Sequence, residues 1–133
     1  GLSSYRREAN GQLKVEQDIS ILPPGMSKIG LRASDLLITP DGKFLFAGLR
    51  GHRQDFDRIS RYRVLKDGRA EFLGLPEADK IPWGLTLSPD GKFLLVSATN
   101  GASLTAYRIS KDCNLKRVAS LAWDPRMSDL VTR

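Results

Sequence analysis

Short apolar segments separated by turn residues make up the hydrophobic pattern of this 133-residue chain. In segment 59–64 the side chains alternate, so that Tyr62 and Val64 face one way while Arg61 and Arg63 face the other. A period of two residues is that of a β-strand with one apolar face. The pattern predicts an all-β protein, and no segment predicts a helix.

Two segments, Phe44–Ala47 and Phe93–Val96, are apolar at every position. A short continuous apolar run is typical of a strand that is buried on both faces. Each run follows the residues Pro-Asp-Gly-Lys, in which Pro presets one backbone angle of a tight turn and Gly accepts a positive one. We therefore expect each run to be an inner strand of a sheet that lies between two other sheets.

An internal repeat is the strongest signal in the sequence. Residues 36–45 (LLITPDGKFL) return 49 residues later as residues 85–94 (LTLSPDGKFL). A second element, Ser-Arg-Tyr-Arg-Val at 60–64, matches 105–109, and residues 4–6 contain its first occurrence. Each repeat predicts four short strands, and four strands in about 40–50 residues are typical of a β-propeller blade. The alternative is an all-β sandwich with coincidental turns.

The repeats divide the chain into about two and a half four-stranded antiparallel blades of a partial β-propeller. The predicted boundaries are a half blade at 1–22, blades at 29–79 and 81–123, and a C-terminal strand at 124–133. The predicted strands are 2–8, 13–22, 35–39, 44–50, 59–65, 70–75, 83–88, 93–99, 103–110 and 115–122. Because the chain opens in mid-repeat without Met, we expect it to work with further blades or with other copies of itself.

In an antiparallel blade, successive connections between strands lie at opposite ends of the blade. The Pro-Asp-Gly turns share one end, the turn face, with the turns between third and fourth strands. The opposite end, the loop face, carries loops 23–35, 50–58, 76–83, 99–102 and 123–127. Binding and catalytic residues concentrate on loops that a rigid scaffold positions. The candidate residues on the loop face are Asp35, Arg50, His52, Asp55, Asp57, Trp83, Asn100 and Arg126.

Charge and cysteine content narrow the class of partner. The net charge of +6 is spread along the chain without a basic block, so we expect no nucleic acid as partner, and no apolar run is long enough for a membrane span. A single cysteine, Cys113, excludes an internal disulfide and favours a reducing compartment, which predicts a cytoplasmic protein.

Residues 32–52, from Arg32 to His52, resemble the signature blade of the 6-phosphogluconolactonase-like, seven-bladed β-propeller lactonases. The shared pattern is an acidic residue, an alternating strand, Pro-x-Gly-Lys and then Arg-Gly-His. The resemblance implies that the chain is the C-terminal part of a seven-bladed propeller that hydrolyses a sugar lactone such as 6-phosphogluconolactone. Leu49 and Trp83 depart from the family pattern, which prefers Asn or Asp and Arg at these positions. The alternatives are an inactive propeller that serves as a binding scaffold and a related lactone-forming cyclase.

Hydrolysis of a lactone needs an activated water and a positive group for the oxygen that becomes charged. We expect His52, Asp35 and Arg50 to be catalytic, with His52 or Asp35 as the base and Arg50 on the oxyanion or a phosphate. The predicted substrate-binding residues are Trp83, Asn100 and Arg126. We expect no cofactor, and no metal, because one Cys and one His do not make a zinc site.

Each candidate also has a structural interpretation. Asp35 is also suited to binding backbone N–H groups of a loop, and Trp83 to packing. Arg50 is equally suited to pairing with Asp55 or Asp57. Our geometric expectation is that Asp35 begins its strand on the loop face and contacts Arg50.

Overall fold

Ten strands form three antiparallel sheets in the computed structural model, which describes residues 1–51 and 55–123. The strands are β1 Leu2–Arg7, β2 Leu13–Ile19, β3 Leu31–Ile38, β4 Phe44–Gly51, β5 Arg58–Val64, β6 Ala70–Gly74, β7 Pro82–Leu87, β8 Phe93–Ala98, β9 Ser103–Ile109 and β10 Leu115–Ala122. None of the described residues belongs to a helix, and none forms a helix that would span a membrane. The all-β prediction is confirmed.

Each sheet is a simple meander. Strands β1 and β2 form a half blade, β3 to β6 form the middle blade, and β7 to β10 form the last blade. Strands β3 and β4 contact β7, so the first strands of the two complete blades lie side by side. This arrangement confirms a partial propeller. The predicted C-terminal strand at 124–133 lies outside the described residues.

In the described part of the chain the core consists of two apolar clusters, one between each pair of neighbouring sheets. Phe46 and Ile59 of the middle blade pack with Leu85, Leu94 and other residues of the last blade. On the other side of the middle blade, a second cluster contains Ile21, Leu22, Leu45, Leu49 and Tyr62. Because β4 contributes side chains to both clusters, the prediction that it is buried on both faces is confirmed. Cores on both sides hold the middle blade in one orientation relative to its neighbours.

Strand β3 begins at Leu31, four residues before its predicted start, so Asp35 lies inside the strand and not at its beginning. A β-bulge in β3 explains why the first half of the strand was not predicted. Ala33 pairs with Leu49 and Leu36 pairs with Ala47, so two residues of β3 face the single residue Gly48. A bulge adds one residue to one strand and shifts its two-residue alternation, which hid the first half of β3 from the pattern analysis.

The last blade carries a bulge at the corresponding place. Pro82 pairs with Ala98 and Gly84 pairs with Ser97, which leaves Trp83 as the extra residue. With the 49-residue offset of the repeat, Trp83 occupies the position that Ser34 has in the middle blade. The two bulges therefore give different side chains the same backbone position in adjacent blades.

The turn face carries two nearly identical turns. In the first, the Thr39 hydroxyl donates to the Asp41 carboxylate at 2.6 Å, and Asp41 also accepts the Lys43 amide. These hydrogen bonds, the one from Thr39 first, lower the pKa of Asp41 from 3.8 to about 2. Ser88 and Asp90 repeat the arrangement in the last blade. A groove of about 680 Å³ lies between the two turns.

Candidate active site

The loop face of the middle blade carries an arginine that stacks on an aromatic ring of the last blade. The guanidinium carbon of Arg50, near the end of β4, lies 4.0 Å from the centroid of the Trp83 ring. A cation within about 6 Å of an aromatic centroid is attracted by the π electrons. Trp83 remains partly accessible to solvent, with 36% of the residue exposed. The structure thus brings together two of the residues that the sequence singled out.

The guanidinium of Arg50 has no carboxylate partner within the described residues. Its Nε is buried and has no hydrogen-bond partner there, and none of the ion pairs found among these residues includes Arg50. Asp55 lies 3.6 Å from Lys80 in an exposed ion pair, and Asp57 accepts the backbone amide of Gly51 at 3.1 Å. The structure therefore does not support the alternative in which Arg50 pairs with Asp55 or Asp57.

Asp35 does not form the expected contact with Arg50. Its Oδ1 accepts the amide of Leu36 at 2.8 Å, and its Oδ2 accepts the amide of Leu85 in the last blade, also at 2.8 Å. The reason is the bulge, which places Asp35 within β3 and directs its carboxylate to the neighbouring first strand. Asp35 thus has the backbone contacts of its structural interpretation, and a catalytic role for it stays a prediction.

The other candidate residues lie apart from the stack or outside the described residues. Asn100 is exposed in a turn whose Gly101 amide donates to the Lys80 carbonyl. Within the described residues no hydrogen bond of its side chain is found, so a role in binding stays a prediction. His52 and Arg126 lie outside the described residues, and their roles also stay predictions.

Two residues that the sequence pattern did not single out lie at the junction beside Trp83. The hydroxyl of Ser34 donates to the carbonyl of Pro82 at 2.5 Å, across the boundary between the blades. Gly48 faces Ser34 within the middle blade, and a Cβ at Gly48 would lie 2.3 Å from the Ser34 Oγ. A glycine within an apolar strand is a known sign of a bulge or of close backbone approach. That signal was present in the sequence.

Asp79, in the loop-face segment 76–83, is a third residue that the sequence pattern did not single out. It accepts hydrogen bonds from Thr105 at 2.5 Å and Ser103 at 2.8 Å, and Arg117 binds both of its oxygens. Burial acts to raise the pKa of Asp79, but the hydroxyl hydrogen bonds and the charge of Arg117 outweigh burial and lower it. These contacts use both carboxylate oxygens, so Asp79 holds the loop before β7 against β9.

The chemistry available here is that of a cation held on an aromatic surface. Stacking orients the plane of the Arg50 guanidinium, whose N–H groups suit a carboxylate, a phosphate or an oxyanion. The exposed part of Trp83 offers an apolar surface for a ring. In the part of the chain that the structure describes, no group of three His, Cys, Asp or Glu side chains is placed to hold a metal ion.

Known proteins with similar sequences point to one family. Residues 2–123 match the family model described as "Lactonase, 7-bladed beta-propeller". The chain is 30% identical over 97 residues to a 6-phosphogluconolactonase of Sodalis glossinidius, and 28% identical over 99 residues to that of Blochmanniella pennsylvanica. These matches cover 72% and 74% of this chain but 28% of each relative. The chain thus spans less than a third of the length of these relatives.

A solved structure shows the same fold. The periplasmic gluconolactonase PpgL of Pseudomonas aeruginosa superposes with a TM-score of 0.81 and 24% sequence identity, covering 92% of this chain and 34% of PpgL. The superposition shows that the fold of this chain matches that of PpgL over nearly its whole length. Because the family model matches almost every described residue, the chain belongs to the seven-bladed β-propeller lactonase family.

Proposed function

We propose that this chain contributes the loop face of a closed seven-bladed propeller that hydrolyses a sugar lactone, with 6-phosphogluconolactone as the first candidate substrate. The observation that carries the proposal is the Arg50 guanidinium, which is stacked on Trp83 and has no ion-pair partner within the described residues. Membership of the lactonase family and the names of the curated relatives support this choice of reaction.

In the proposed reaction, water adds to the lactone carbonyl, the carbonyl oxygen becomes an oxyanion, and the ring C–O bond breaks to give the open-chain acid. Arg50 stabilises the oxyanion or holds the phosphate of the substrate, since its N–H groups match either anion. His52 removes a proton from the attacking water, because an imidazole has a suitable pKa for that role near neutral pH, and it returns this proton to the ring oxygen as the C–O bond breaks.

The remaining candidates bind the sugar. The exposed part of Trp83 contacts the ring, while Asn100 and Arg126 contact hydroxyl or phosphate oxygens. The Arg50 cation, stacked on Trp83, suits a substrate with a single anionic group. A phosphorylated lactone carries such a group, and so does the oxyanion that forms from a plain lactone.

The test is a lactonase assay on the complete gene product that contains this chain. We expect acceleration above the spontaneous rate in buffer with 6-phosphogluconolactone, and a higher KM with gluconolactone, which lacks the phosphate. Equal KM values would assign Arg50 to the oxyanion instead of the phosphate. No acceleration with either lactone would overturn the proposed function.

A further inference from the structure

The bulge of the middle blade holds the last blade at two points, one on each side of Trp83. Ser34 donates its hydroxyl hydrogen to the carbonyl of Pro82 at 2.5 Å, and Asp35 accepts the amide of Leu85 at 2.8 Å. Pro82 precedes Trp83 directly and Leu85 follows it by two residues. The segment that carries the ring is therefore fixed from the neighbouring blade.

Trp83 needs such support because its own sheet does not pair with it. It is the extra residue of the β7 bulge, so β8 offers it no partner in the register. The backbone before it is strained, since Ile81 has a φ of 59°, an uncommon angle for a β-branched residue. On the other side, the Ser97 hydroxyl accepts the amide of Gly84 at 3.0 Å. The contacts on either side of Trp83 therefore bear on where its ring lies, since Trp83 has no residue of β8 opposite it in the register.

The middle blade is shaped to make this contact. At Gly48 an added Cβ would lie 2.3 Å from the Ser34 Oγ and 3.1 Å from the Pro82 carbonyl oxygen. Real Cβ atoms do not come as close as 2.3 Å to another heavy atom, so any side chain at this position would force the Ser34 hydroxyl to shift. Gly48, Ser34 and Pro82 thus form one tightly packed junction.

From these contacts we propose that Ser34 and Asp35 are positioning residues for the active site. They fix the segment 82–85, this segment orients the Trp83 ring, and the ring orients the Arg50 guanidinium that stacks on it at 4.0 Å. This role requires neither residue to react with the substrate, and both oxygens of Asp35 are already engaged by amides. The catalytic consequence rests on the proposed lactonase function, whereas the positioning of Trp83 does not.

The experiment is ¹⁹F NMR on the complete gene product labelled with 5-fluorotryptophan, with the Trp83 resonance identified by its loss in Trp83→Phe. We expect Ser34→Ala and Asp35→Ala to shift or broaden this resonance. Asp35→Asn should have a smaller effect, because an amide oxygen still accepts one backbone hydrogen bond. The matched controls are Ser88→Ala and Asp90→Ala, which remove the same side-chain types and comparable hydrogen bonds on the turn face.

Activity supplies the second measurement. Ser34→Ala and Asp35→Ala should lower kcat/KM for the lactone by about tenfold or more, as expected when a group is misplaced by about 1 Å. The two turn-face controls should leave kcat/KM unchanged at a temperature where all variants are folded.

The two measurements separate the two proposals. A Trp83 resonance that is unchanged in Ser34→Ala and Asp35→Ala would overturn the positioning role, whatever the activity. A displaced resonance in a protein that hydrolyses no lactone would support the positioning role and overturn the proposed function. If the resonance moves but kcat/KM does not, the link from Trp83 to Arg50 is wrong.

Discussion

Arg61 of the middle blade donates a hydrogen bond of 2.7 Å to the carbonyl of Cys113 in the last blade. The same guanidinium binds the Asn114 side chain at 2.9 Å and the Leu73 carbonyl at 3.2 Å. One side chain thus joins two blades and the outer strand of its own blade, far from the stacked arginine. Contacts between blades, and not only apolar burial, hold the sheets together.

Replacing Arg61 with Ala should lower the free energy of unfolding by about 2 kcal/mol, since hydrogen bonds to charged groups contribute roughly 1.5–3 kcal/mol. The control is Arg63→Ala, two residues along the same strand, where an exposed ion pair with Glu71 is lost. Such pairs contribute about 0–1 kcal/mol. Chemical denaturation of both variants measures the difference, and equal losses would show that Arg61 does not join the blades.

Arg50→Lys should lower kcat at least about tenfold while the protein stays folded, because an ammonium does not present the planar N–H pair of a guanidinium. Arg108→Lys is the matched control. Arg108 also lies over an aromatic ring, 5.4 Å from the centroid of Phe93, but it lies toward the turn face. Lactonase assays and thermal melting of both variants test this. Full activity in Arg50→Lys would remove Arg50 from the active site.

Gly48→Ala should destabilise the protein by about 1–3 kcal/mol, the usual cost of excess volume in a packed region. The added methyl group would collide with the Ser34 hydroxyl. In the double variant with Ser34→Ala this collision is absent, so the combined loss should be smaller than the sum of the single losses. A double-mutant cycle by denaturation measures the coupling, and strictly additive losses would contradict the close approach.

Acid should destabilise the protein partly through Asp41. The Thr39 hydroxyl and the Lys43 amide lower its pKa from 3.8 to about 2. The folded state therefore gains stability from the ionised carboxylate above pH 3.8, and this gain is lost as the pH falls toward 2. We expect the melting temperature of Asp41→Asn to be lower than that of the wild type at pH 6 and to approach it near pH 2. A constant difference across this range would contradict the assignment.

The Cys113 thiol should be unreactive in the folded protein. Burial raises its pKa to about 11, although Arg61 and Arg63 act in the opposite direction. At pH 8 the reactive thiolate is then scarcer than in an ordinary cysteine, and the residue is fully buried. We expect an aromatic disulfide reagent to label Cys113 only at the rate of unfolding. Rapid labelling under native conditions would show that the turn around Cys113 opens.

The blades could be predicted from the sequence because strand signals are local. Apolar runs such as Phe44–Ala47 and the repeated Pro-Asp-Gly turns locate strands without knowledge of their neighbours. The active site could not be predicted to the same depth. One extra residue in the β3 bulge moves Asp35 away from Arg50, and a bulge leaves no periodic trace. Gly48 was the only local sign, and it gives the place of close approach but not the partner.

The repeated bulge also indicates how a site can arise in a protein that consists of repeats of one unit. Ser34 and Trp83 stand at the same position of successive units, yet one grips a neighbour and the other carries an exposed ring. The same position of the repeat thus contacts a neighbouring blade in one unit and carries an exposed ring in the next. Because a bulge residue has no partner of its own in the strand register, its side chain can differ between blades while the surrounding strands keep their pairing, and a propeller can acquire new chemistry at one junction in this way.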